Sequence, residues 1–428
     1  MLSRMEHDSI GALNVPAEAY YGVQSMRAAT NFQITHRPLH PVLIDSIVMV
    51  KKAAAITNEK SGKLDQQIVQ AIIQACDEIL DGNLRDQFIV DAIQGGAGTS
   101  ANMNANEVIA NRAIEILGGT KGDYSVVHPN DHVNMSQSTN DVIPTAGKIT
   151  VLKLLPQTIK ELEKLEKAME EKEAEFDDIL KMGRTQLQDA VPMRLGQSFG
   201  AFAHVLKRDI KRLKNVMDEM KVLNIGATAI GTAINVDPYY LANISYELSK
   251  VAGISLKQAD DLIDATQNLD GFVSVSGVLK TCAVDISKIS NDLRLMSSGP
   301  RTGLSEINLP ARQNGSSIMP GKINPVIPEV VSQVAYLIIG HDYTITMAAE
   351  AGQCEEYIEK SVGISTALCP YIGYAKSAEI AKKSLKTGIS VKELVLEEGL
   401  LKEEELKEIL KPEKMTQPMR EKVMKAVS

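Results

Sequence analysis

Apolar residues recur at alternating spacings of three and four along three long stretches of the chain, a pattern typical of helices packed side by side in a bundle. A stretch from Pro156 to Leu180 sets its apolar residues among Glu and Lys at this spacing. The two most regular stretches have the apolar positions Phe199, Phe202, Leu206, Ile210, Leu213, Met217 and Met220, and then Phe272, Val275, Leu279, Cys282, Ile286, Ile289, Leu293 and Met296. The sequence therefore predicts three long bundle helices, with Cys282 at a core position.

The segments around the bundle also predict helices. Gly299 and Pro300 end the third long helix and open an irregular stretch that runs to Pro325, where an apolar helix resumes. Long irregular stretches inside compact domains are usually functional. We predict an all-α protein of three domains: an N-terminal, mostly helical domain over residues 1–139, a central helical bundle over 140–353 with a loop at 313–325, and a small helical C-terminal domain over 354–428.

Charge and composition exclude several classes of function. Acidic residues outnumber basic ones, 54 to 46, and aromatic residues make up only 4%, so neither a basic patch nor a stacking surface for nucleic acid is indicated. The first ten residues lack the apolar run of a signal peptide, and no stretch has the length of a membrane span. We expect a cytoplasmic protein with no nucleic-acid or membrane partner.

The four cysteines lie far apart in the sequence, at Cys76, Cys282, Cys354 and Cys369. No two of them form the C-x-x-C pair that a thiolate metal site would need. We therefore expect buried free thiols.

The segment GSSIMPGKINP, residues 315–325, looks at first like a phosphate-binding loop. A Walker A loop has four residues between its glycines and a Ser or Thr after the lysine. Here five residues separate Gly315 from Gly321, and Ile323 follows Lys322. We instead predict a flexible loop whose hydroxyls, lysine and asparagine handle an anion or a proton.

Three more polar clusters lie outside the bundle pattern. They are Thr99 with Ser100 at the start of an Ala/Asn-rich segment, Ser138 to Asn140, and residues 183–192 between the first two bundle helices. Their hydroxyls, amides and few cations suit a small polycarboxylate. Such clusters are also common as helix caps and turns, and this alternative stays open for each of them.

Two histidine pairs have a spacing of four, as metal ligands on a helix often have: His36 with His40, and His128 with His132. Each pair lies beside a proline, which disfavours a helix at that point. We predict structural roles for these histidines and no metal site.

These four polar clusters, in this order, resemble those of the aspartase/fumarase superfamily. The resemblance extends over nearly the whole chain and rests on AYYGVQSMRA, GGAGTSANMNANEVIANR, NMSQSTND, GRTQLQDAVP, SGPRTGLSEINLPARQNGSSIMPGKINPVIPEVVSQV and TMAAEAGQ. It implies a homotetramer whose long helices share one central bundle, with each active site assembled from three subunits. It also implies a small dicarboxylate substrate.

The resemblance implies a role for each cluster. Ser316 is expected to be the base that takes a proton from the β-carbon, with backbone amides and a nearby cation stabilising its alkoxide. Donors aimed at the adjacent carboxylate would stabilise the aci-carboxylate that forms. The expected substrate-binding residues are Lys322, Asn324 and Thr185 for the α-carboxylate, Thr99, Ser138, Thr139 and Ser317 for the β-carboxylate, Asn140 for the amino group, and Gln186 and Arg27 as further candidates.

Gln186 favours elimination of ammonia over elimination of water. A hydroxyl group leaves as water only if an acid protonates it, whereas an ammonium group leaves as neutral ammonia. In fumarases, the position that resembles that of Gln186 is a histidine, and an amide cannot supply that proton. The resemblance thus implies reversible deamination of L-aspartate to fumarate, with no cofactor required and with Mg²⁺ activation suggested by the resemblance alone. A fumarase-type hydro-lyase and a catalytically silent relative stay as alternatives.

The silent alternative rests on the junction after Gln353. In the family, AEAGQ continues into another long helix and its return, on the order of forty residues or about 60 Å at 1.5 Å per residue. Here it runs straight into CEEYIEKSVGI, which looks like the start of the C-terminal domain. A true loss would expose apolar faces of the remaining helices and weaken the tetramer.

Overall fold

The computed structural model describes residues 2–351, 362–387 and 389–410. Helices dominate these residues, which confirms the all-α prediction, and none of their helices has the length and apolar character needed to cross a membrane. The α-helices are α1 (Val23–Asn31), α2 (Pro41–Lys60), α3 (Gln66–Leu80), α4 (Thr99–Ile116), α5 (Thr139–Glu175), α6 (Leu195–Met220), α7 (Pro238–Ala252), α8 (Leu262–Gln267), α9 (Asp270–Met296), α10 (Val326–Glu350), α11 (Cys369–Ile372), α12 (Tyr374–Thr387), α13 (Val391–Glu397) and α14 (Glu403–Ile409).

The strands of the described residues are short and pair two by two. The pairs β1–β2 and β3–β4 are antiparallel, and β5–β6 is parallel. Their bounds are β1 (Ser3–Asp8), β2 (Gly11–Pro16), β3 (Leu180–Thr185), β4 (Gln188–Arg194), β5 (Val222–Leu223) and β6 (Lys257–Gln258).

The chain divides into two compact units. Unit 1 comprises the described parts of residues 1–150, 221–268 and 352–428, and unit 2 comprises residues 151–220 and 269–351. Within unit 1, α2 packs against α3, α4 and α7; within unit 2, α9 packs against α6 and α10. The C-terminal helices thus belong to the same unit as the N-terminal ones. The three domain boundaries drawn from the sequence stay a prediction.

The first long helix, α5, lies elsewhere along the chain than predicted. It begins at Thr139 rather than near Pro156 and ends at Glu175, before Leu180, so both predicted ends were wrong. A proline favours the first turn of a helix, because it lacks an N–H, but Pro156 lies in the interior of α5. Buried apolar residues continue on both sides of it: Val142, Ala146, Ile149, Leu152, Leu155 and Ile159. This packing keeps the helix intact across the proline.

The other two long helices confirm the predicted pattern, since α6 and α9 cover the predicted ranges 199–220 and 272–296. Cys282 is buried in α9, as its core position predicts, and Cys76 is a buried free thiol in α3. Cys369 is a half-buried free thiol. Cys354 lies outside the described residues.

The helix predicted after Pro325 is α10, and it exposes an apolar surface. Of its 25 residues, only Ser332, Ala335 and Asp342 are buried. Its exposed large apolar residues are Ile327, Val330, Val334, Tyr336, Leu337, Tyr343, Ile345 and Met347. Exposed apolar surface of this extent is unusual on a monomeric protein.

Candidate active site

Two helices begin at the polar clusters of unit 1. Thr99 is the first residue of α4, and Thr139 is the first residue of α5. The two N-termini lie against each other, because a Cβ added to Gly98, whose φ is 89°, would lie 2.9 Å from the side chain of Ile143 in α5. Helix N-termini present unpaired N–H groups and the positive end of the helix dipole. Three of the residues predicted to bind the β-carboxylate, Thr99, Ser138 and Thr139, therefore lie where a negative charge is favoured.

A buried carboxylate fixes the turn that leads into α5. The two oxygens of Asp141 accept hydrogen bonds from the amides of Ser138 (2.9 Å), Gly226 (3.1 Å) and Thr228 (3.0 Å). Burial raises the pKa of Asp141 to about 6, although these amides oppose the rise. Because Asp141 is fully buried, it stabilises the turn from the protein interior rather than contacting a ligand.

The hydroxyls of this cluster also act as caps, as the alternative interpretation holds. Ser138 Oγ accepts from the amide of Asn140 (3.3 Å), so its hydrogen can still donate to a ligand. Thr99 Oγ1 donates to the carbonyl of Gly96 (2.6 Å), so it must rotate before it can donate elsewhere. The side-chain amide of Asn140 donates to the carbonyl of Ala229 (2.7 Å), which fixes its orientation.

A fully buried lysine supports the same turn. Lys51 Nζ, in α2, donates to Asn134 Oδ1 (2.8 Å) and Gln137 Oε1 (2.9 Å). Asn102 Nδ2 donates both to that Asn134 oxygen (3.2 Å) and to Thr139 Oγ1 (3.3 Å). Burial lowers the pKa of Lys51 to about 7. One connected set of hydrogen bonds thus joins α2 and α4 to the first residue of α5.

The loop at 315–325, in unit 2, is closed at its base by backbone contacts. The amide of Gly315 donates to the carbonyl of Lys322 (2.9 Å), and Asn324 Nδ2 donates to the carbonyl of Gly315 (3.1 Å). A Cβ on Gly315 would lie 2.7 Å from the backbone nitrogen of Asn324, so only glycine fits there. This closure brings the predicted lysine and asparagine to the same end of the loop.

Two backbone amides point at the hydroxyl of Ser316. Ser316 Oγ accepts hydrogen bonds from the amides of Ile318 (3.2 Å) and Met319 (3.0 Å). Hydrogen bonds to the charged form of a group lower its pKa, so this pair of donors stabilises a serine alkoxide. Ser316 is half-buried, whereas Ser317 and Lys322 are exposed. The arrangement suits a serine that acts as a base and neighbours that meet a ligand.

Residues 183–192, predicted only as a connection between helices, form most of the β3–β4 hairpin. Thr185 pairs with Gln188 across a two-residue turn. The turn residues Gln186 and Leu187 have φ angles of 53° and 63°. Thr185 and Gln186 are both exposed, at the tip of the hairpin.

Arg27 is held by its own chain. Its guanidinium donates to the carboxylate of Asp8 (2.7 and 3.1 Å) and to the carbonyl of Gly11 (2.8 Å). Together with Thr99 it lines a cavity of about 610 Å³ in unit 1. The structure thus places Arg27 near one predicted residue, with its charge already paired.

Three of the four paired histidines accept hydrogen bonds from backbone amides through Nδ1. His40 Nδ1 accepts a hydrogen bond from the amide of Val42 at the start of α2. His128 Nδ1 accepts from the amides of Asn130 and Asp131, which belong to a single π-helical turn, Pro129–Val133. His132 Nδ1 accepts from the amide of His128 (2.9 Å). Within residues 2–351, 362–387 and 389–410, no group of three or more His, Cys, Asp or Glu side chains could hold a metal ion.

The predicted site residues therefore fall into two sets, one in each unit. Unit 1 brings together Thr99, Ser138, Thr139 and Asn140 at the two helix N-termini. Unit 2 holds Ser316, Ser317, Lys322 and Asn324 in one loop and Thr185 with Gln186 on the hairpin.

Known families and proteins match this chain over most of its length. A family model described as a lyase matches residues 11–340, and one described as the fumarase C C-terminus matches residues 364–417. The chain belongs to the aspartase/fumarase superfamily. Among curated relatives, this lyase is 50% identical to the aspartate ammonia-lyase of Bacillus sp., over 97% of the chain and 98% of the relative. It is 46% identical to the aspartate ammonia-lyase of Escherichia coli strain K12, over 97% of the chain and 96% of the relative.

Solved structures agree with this membership. One, described as a fumarate lyase:delta crystallin from Brucella melitensis bound to cobalt, is 47% identical with a TM-score of 0.81, over 97% of this lyase and 100% of that chain. A class II fumarase from Schistosoma mansoni is 33% identical with a TM-score of 0.79, over 97% and 99%.

The curated relatives also contain residues that this lyase lacks. The match to the Bacillus sp. enzyme extends over 457 residues, more than the 428 of the whole chain. Both ends of that alignment lie near the ends of the two proteins, so the unmatched residues are internal to the relative. The junction after Gln353, where the sequence predicts such a loss, lies outside the described residues.

Sequence reasoning missed the residues that support the site from behind. Lys51 had a signal, because it follows Ile44, Ile47 and Val48 on the buried stripe of α2, a position where a lysine is unusual. Asn102 had no such signal, since asparagines fill the surrounding segment.

Proposed function

We propose that this lyase catalyses the reversible deamination of L-aspartate to fumarate and ammonia. The observation that carries the proposal is the pair of amides at Ser316 Oγ, in a loop closed so that Lys322 and Asn324 lie at one end. The curated relatives at 46–50% identity, all described as aspartate ammonia-lyases, support the same substrate.

Proton removal at the β-carbon is the first step of the proposed reaction. Ser316 Oγ, as the alkoxide, takes the β-proton, and the electron pair of the broken C–H bond moves into the adjacent carboxylate. The resulting aci-carboxylate carries two negative charges. It then collapses to form the double bond, while the Cα–N bond breaks and its electron pair leaves with nitrogen as neutral ammonia. No acid is needed for that departure, which agrees with an amide at position 186.

The donors of unit 1 would meet the aci-carboxylate, where most of the new charge develops. Thr139 Oγ1 and Ser138 Oγ each accept one hydrogen bond and keep a hydrogen to donate. The N-termini of α4 and α5 add a positive potential that is in place before the reaction begins. In the proposal, Thr99 and Ser317 complete this set of donors. The α-carboxylate is bound by Lys322, Asn324 and Thr185, and the amino group is contacted by Asn140.

Each group in this reaction is a side chain or a backbone amide, so the proposal requires no cofactor. Activation by Mg²⁺ and a cytoplasmic location stay predictions. The cobalt in the description of the Brucella melitensis structure concerns that protein.

Fumarate absorbance tests the proposal directly. We expect purified protein of verified mass to form fumarate from L-aspartate, and to form it from L-malate at least about 100-fold more slowly, since the amide of Gln186 cannot protonate a leaving hydroxide. Equal rates with both substrates would contradict the argument from Gln186. If intact protein formed no fumarate from either substrate, the result would favour a catalytically silent relative in which the site does not form without the missing residues.

We propose further that the chain is a homotetramer, as the apolar surface of α10 supports. Leu337→Asp would place a charge in the middle of that surface, so we expect it to split the tetramer. Sedimentation velocity measures the change. The control is Gln70→Asp, an exposed position on α3 in unit 1, which should leave the mass unchanged. A wild-type monomer at every concentration would refute the tetramer.

A further inference from the structure

Glu306 binds two cations of the β3–β4 hairpin. Its carboxylate lies 2.9 Å from Lys181 Nζ and 2.5 Å from Arg184 Nη1. The side chains of Glu306, Lys181 and Arg184 are only 14%, 13% and 23% exposed. Ion pairs so far removed from water are screened less by salt than surface pairs are. These contacts are therefore stronger than those of an ordinary surface pair.

A β-bulge makes this double contact geometrically possible. In a regular strand, positions 181 and 184 would point to opposite faces, because side chains alternate. The pairing of β3 with β4 shifts register between Met182 and Arg184, which turns Arg184 to the side of Lys181. Gly183 allows this shift, since a Cβ there would lie 2.8 Å from the carbonyl oxygen of Val191.

The chain after α9 folds back to place Glu306 at the end of that helix. The amide of Glu306 donates to the carbonyl of Met296, the last residue of α9 (2.8 Å), and the amide of Ser305 donates to the carbonyl of Ser298 (2.9 Å). A Cβ on Gly303 would lie 2.4 Å from the Ser298 backbone, so the return is tight. Glu306 is thus anchored to a long bundle helix.

The hairpin has few other means of support. Most of β4 is exposed, as are the tip residues Thr185 to Leu187. Two-stranded hairpins are marginally stable in water unless they pack against another element. Gln186 and Leu187 also adopt left-handed φ angles, which residues other than Gly, Asn and Asp rarely do. The contact of Glu306 with Arg184, the residue just before this tip, attaches the hairpin to the end of α9.

We propose that Glu306 is a positioning residue, which fixes the β3–β4 hairpin to the end of α9 and so sets the place of Thr185 and Gln186. Its effect on catalysis rests on the proposed function, in which Thr185 binds the α-carboxylate. Its effect on the hairpin does not.

Hydrogen exchange and kinetics of Glu306→Gln test the proposal together. The variant keeps the shape of the side chain and removes its charge. We expect amides of residues 182–190 to exchange at least about tenfold faster, and KM for L-aspartate to rise about tenfold with kcat within a factor of about three. Glu306→Lys alone places three cations together and should raise both quantities further. Adding Lys181→Glu restores one ion pair and should reverse part of that rise.

Asp177→Asn is the matched control. It removes the pair that Asp177 forms with Arg194 at the end of β4 (2.9 Å), whose side chains are about half exposed. It should leave exchange and KM as they are. Unchanged hairpin exchange in Glu306→Gln, or equal effects of the two variants, would overturn the proposal. If the wild-type protein has no lyase activity, the proposed function fails while the exchange measurement still decides the role of Glu306.

Discussion

Replacing Ser316 with alanine should lower kcat for fumarate formation from L-aspartate by at least about 10²- to 10⁴-fold, the range that a positioned base contributes. The expected loss is this large because Ser316 Oγ is the hydroxyl on which the amides of Ile318 and Met319 converge. The side chains of Lys322 and Asn324 have no hydroxyl to replace it. Steady-state absorbance of fumarate gives kcat, and calorimetric titration of the variant with L-aspartate gives binding.

The pattern of loss across the loop distinguishes a base from a binding residue. Ser316→Ala should lose kcat and keep most of its affinity, since the amides of Ile318 and Met319 remain. Ser317→Ala, which changes the exposed neighbouring hydroxyl, should mainly raise KM. If Ser316→Ala kept kcat within tenfold of the wild-type value, the two amides at its oxygen would only close a turn, and another residue would be the base.

The helices α6 and α9 could be predicted from the spacing of apolar residues. The stripes of α6 and α9 correspond to single buried or half-buried faces, so local pattern and tertiary packing agree. The prediction for the first long helix was wrong because it began at Pro156, whereas Pro156 lies in the interior of α5. In α5, packing of buried residues on both sides outweighs one lost hydrogen bond, which sequence spacing does not measure.

Sequence motifs predict candidate site residues, but not the contacts that support them. The β3–β4 hairpin has no alternating apolar pattern, because most of its side chains are exposed. The contact of Glu306 with Lys181 and Arg184 joins residues more than 120 positions apart. Such a contact depends on tertiary structure and leaves no local pattern.

The residues that the relatives have and this chain lacks bear on the exposed surface of α10. Apolar side chains cover α10 along its length, as expected of a helix that packs on more neighbours than the described residues provide. A tetramer would cover some of this surface. The mass of Leu337→Asp and the activity of the wild-type protein therefore test two linked points, whether the chain assembles and whether the assembly is catalytic.

Replacing Lys51 with methionine should change both the pH dependence of stability and the activity. Burial lowers the pKa of Lys51 to about 7 from 10.5, although the charge of Asp141 raises it. Between these values the unfolded chain holds a proton that the folded chain has lost, so the stability from Lys51 is fully present above pH 10.5 and is lost as pH falls through 7. In Lys51→Met this contribution disappears.

The difference in unfolding free energy between wild type and Lys51→Met should therefore grow in favour of wild type, by up to about 3 kcal/mol from pH 8 to pH 10. Urea unfolding at several pH values measures it. The matched control is Lys52→Met, next in sequence, whose amine pairs with the half-exposed Asp77. It should show no such slope. A flat difference for Lys51→Met would mean that Lys51 keeps its proton throughout this range.

Activity should fall in the same variant because the turn before α5 loses its support. Without Lys51 Nζ, the side-chain oxygens of Asn134 and Gln137 each lose a hydrogen bond, and a buried acceptor left unpaired costs about 1–3 kcal/mol. Asn134 Oδ1 also accepts from Asn102 Nδ2, which donates to Thr139 Oγ1. The loss of Lys51 should therefore also weaken the positioning of Thr139, which is proposed to bind the aci-carboxylate. We expect kcat/KM to fall about 10- to 100-fold at pH 8, where Lys52→Met stays near wild type. Equal activity in the two variants would show that the turn holds its geometry without the buried lysine.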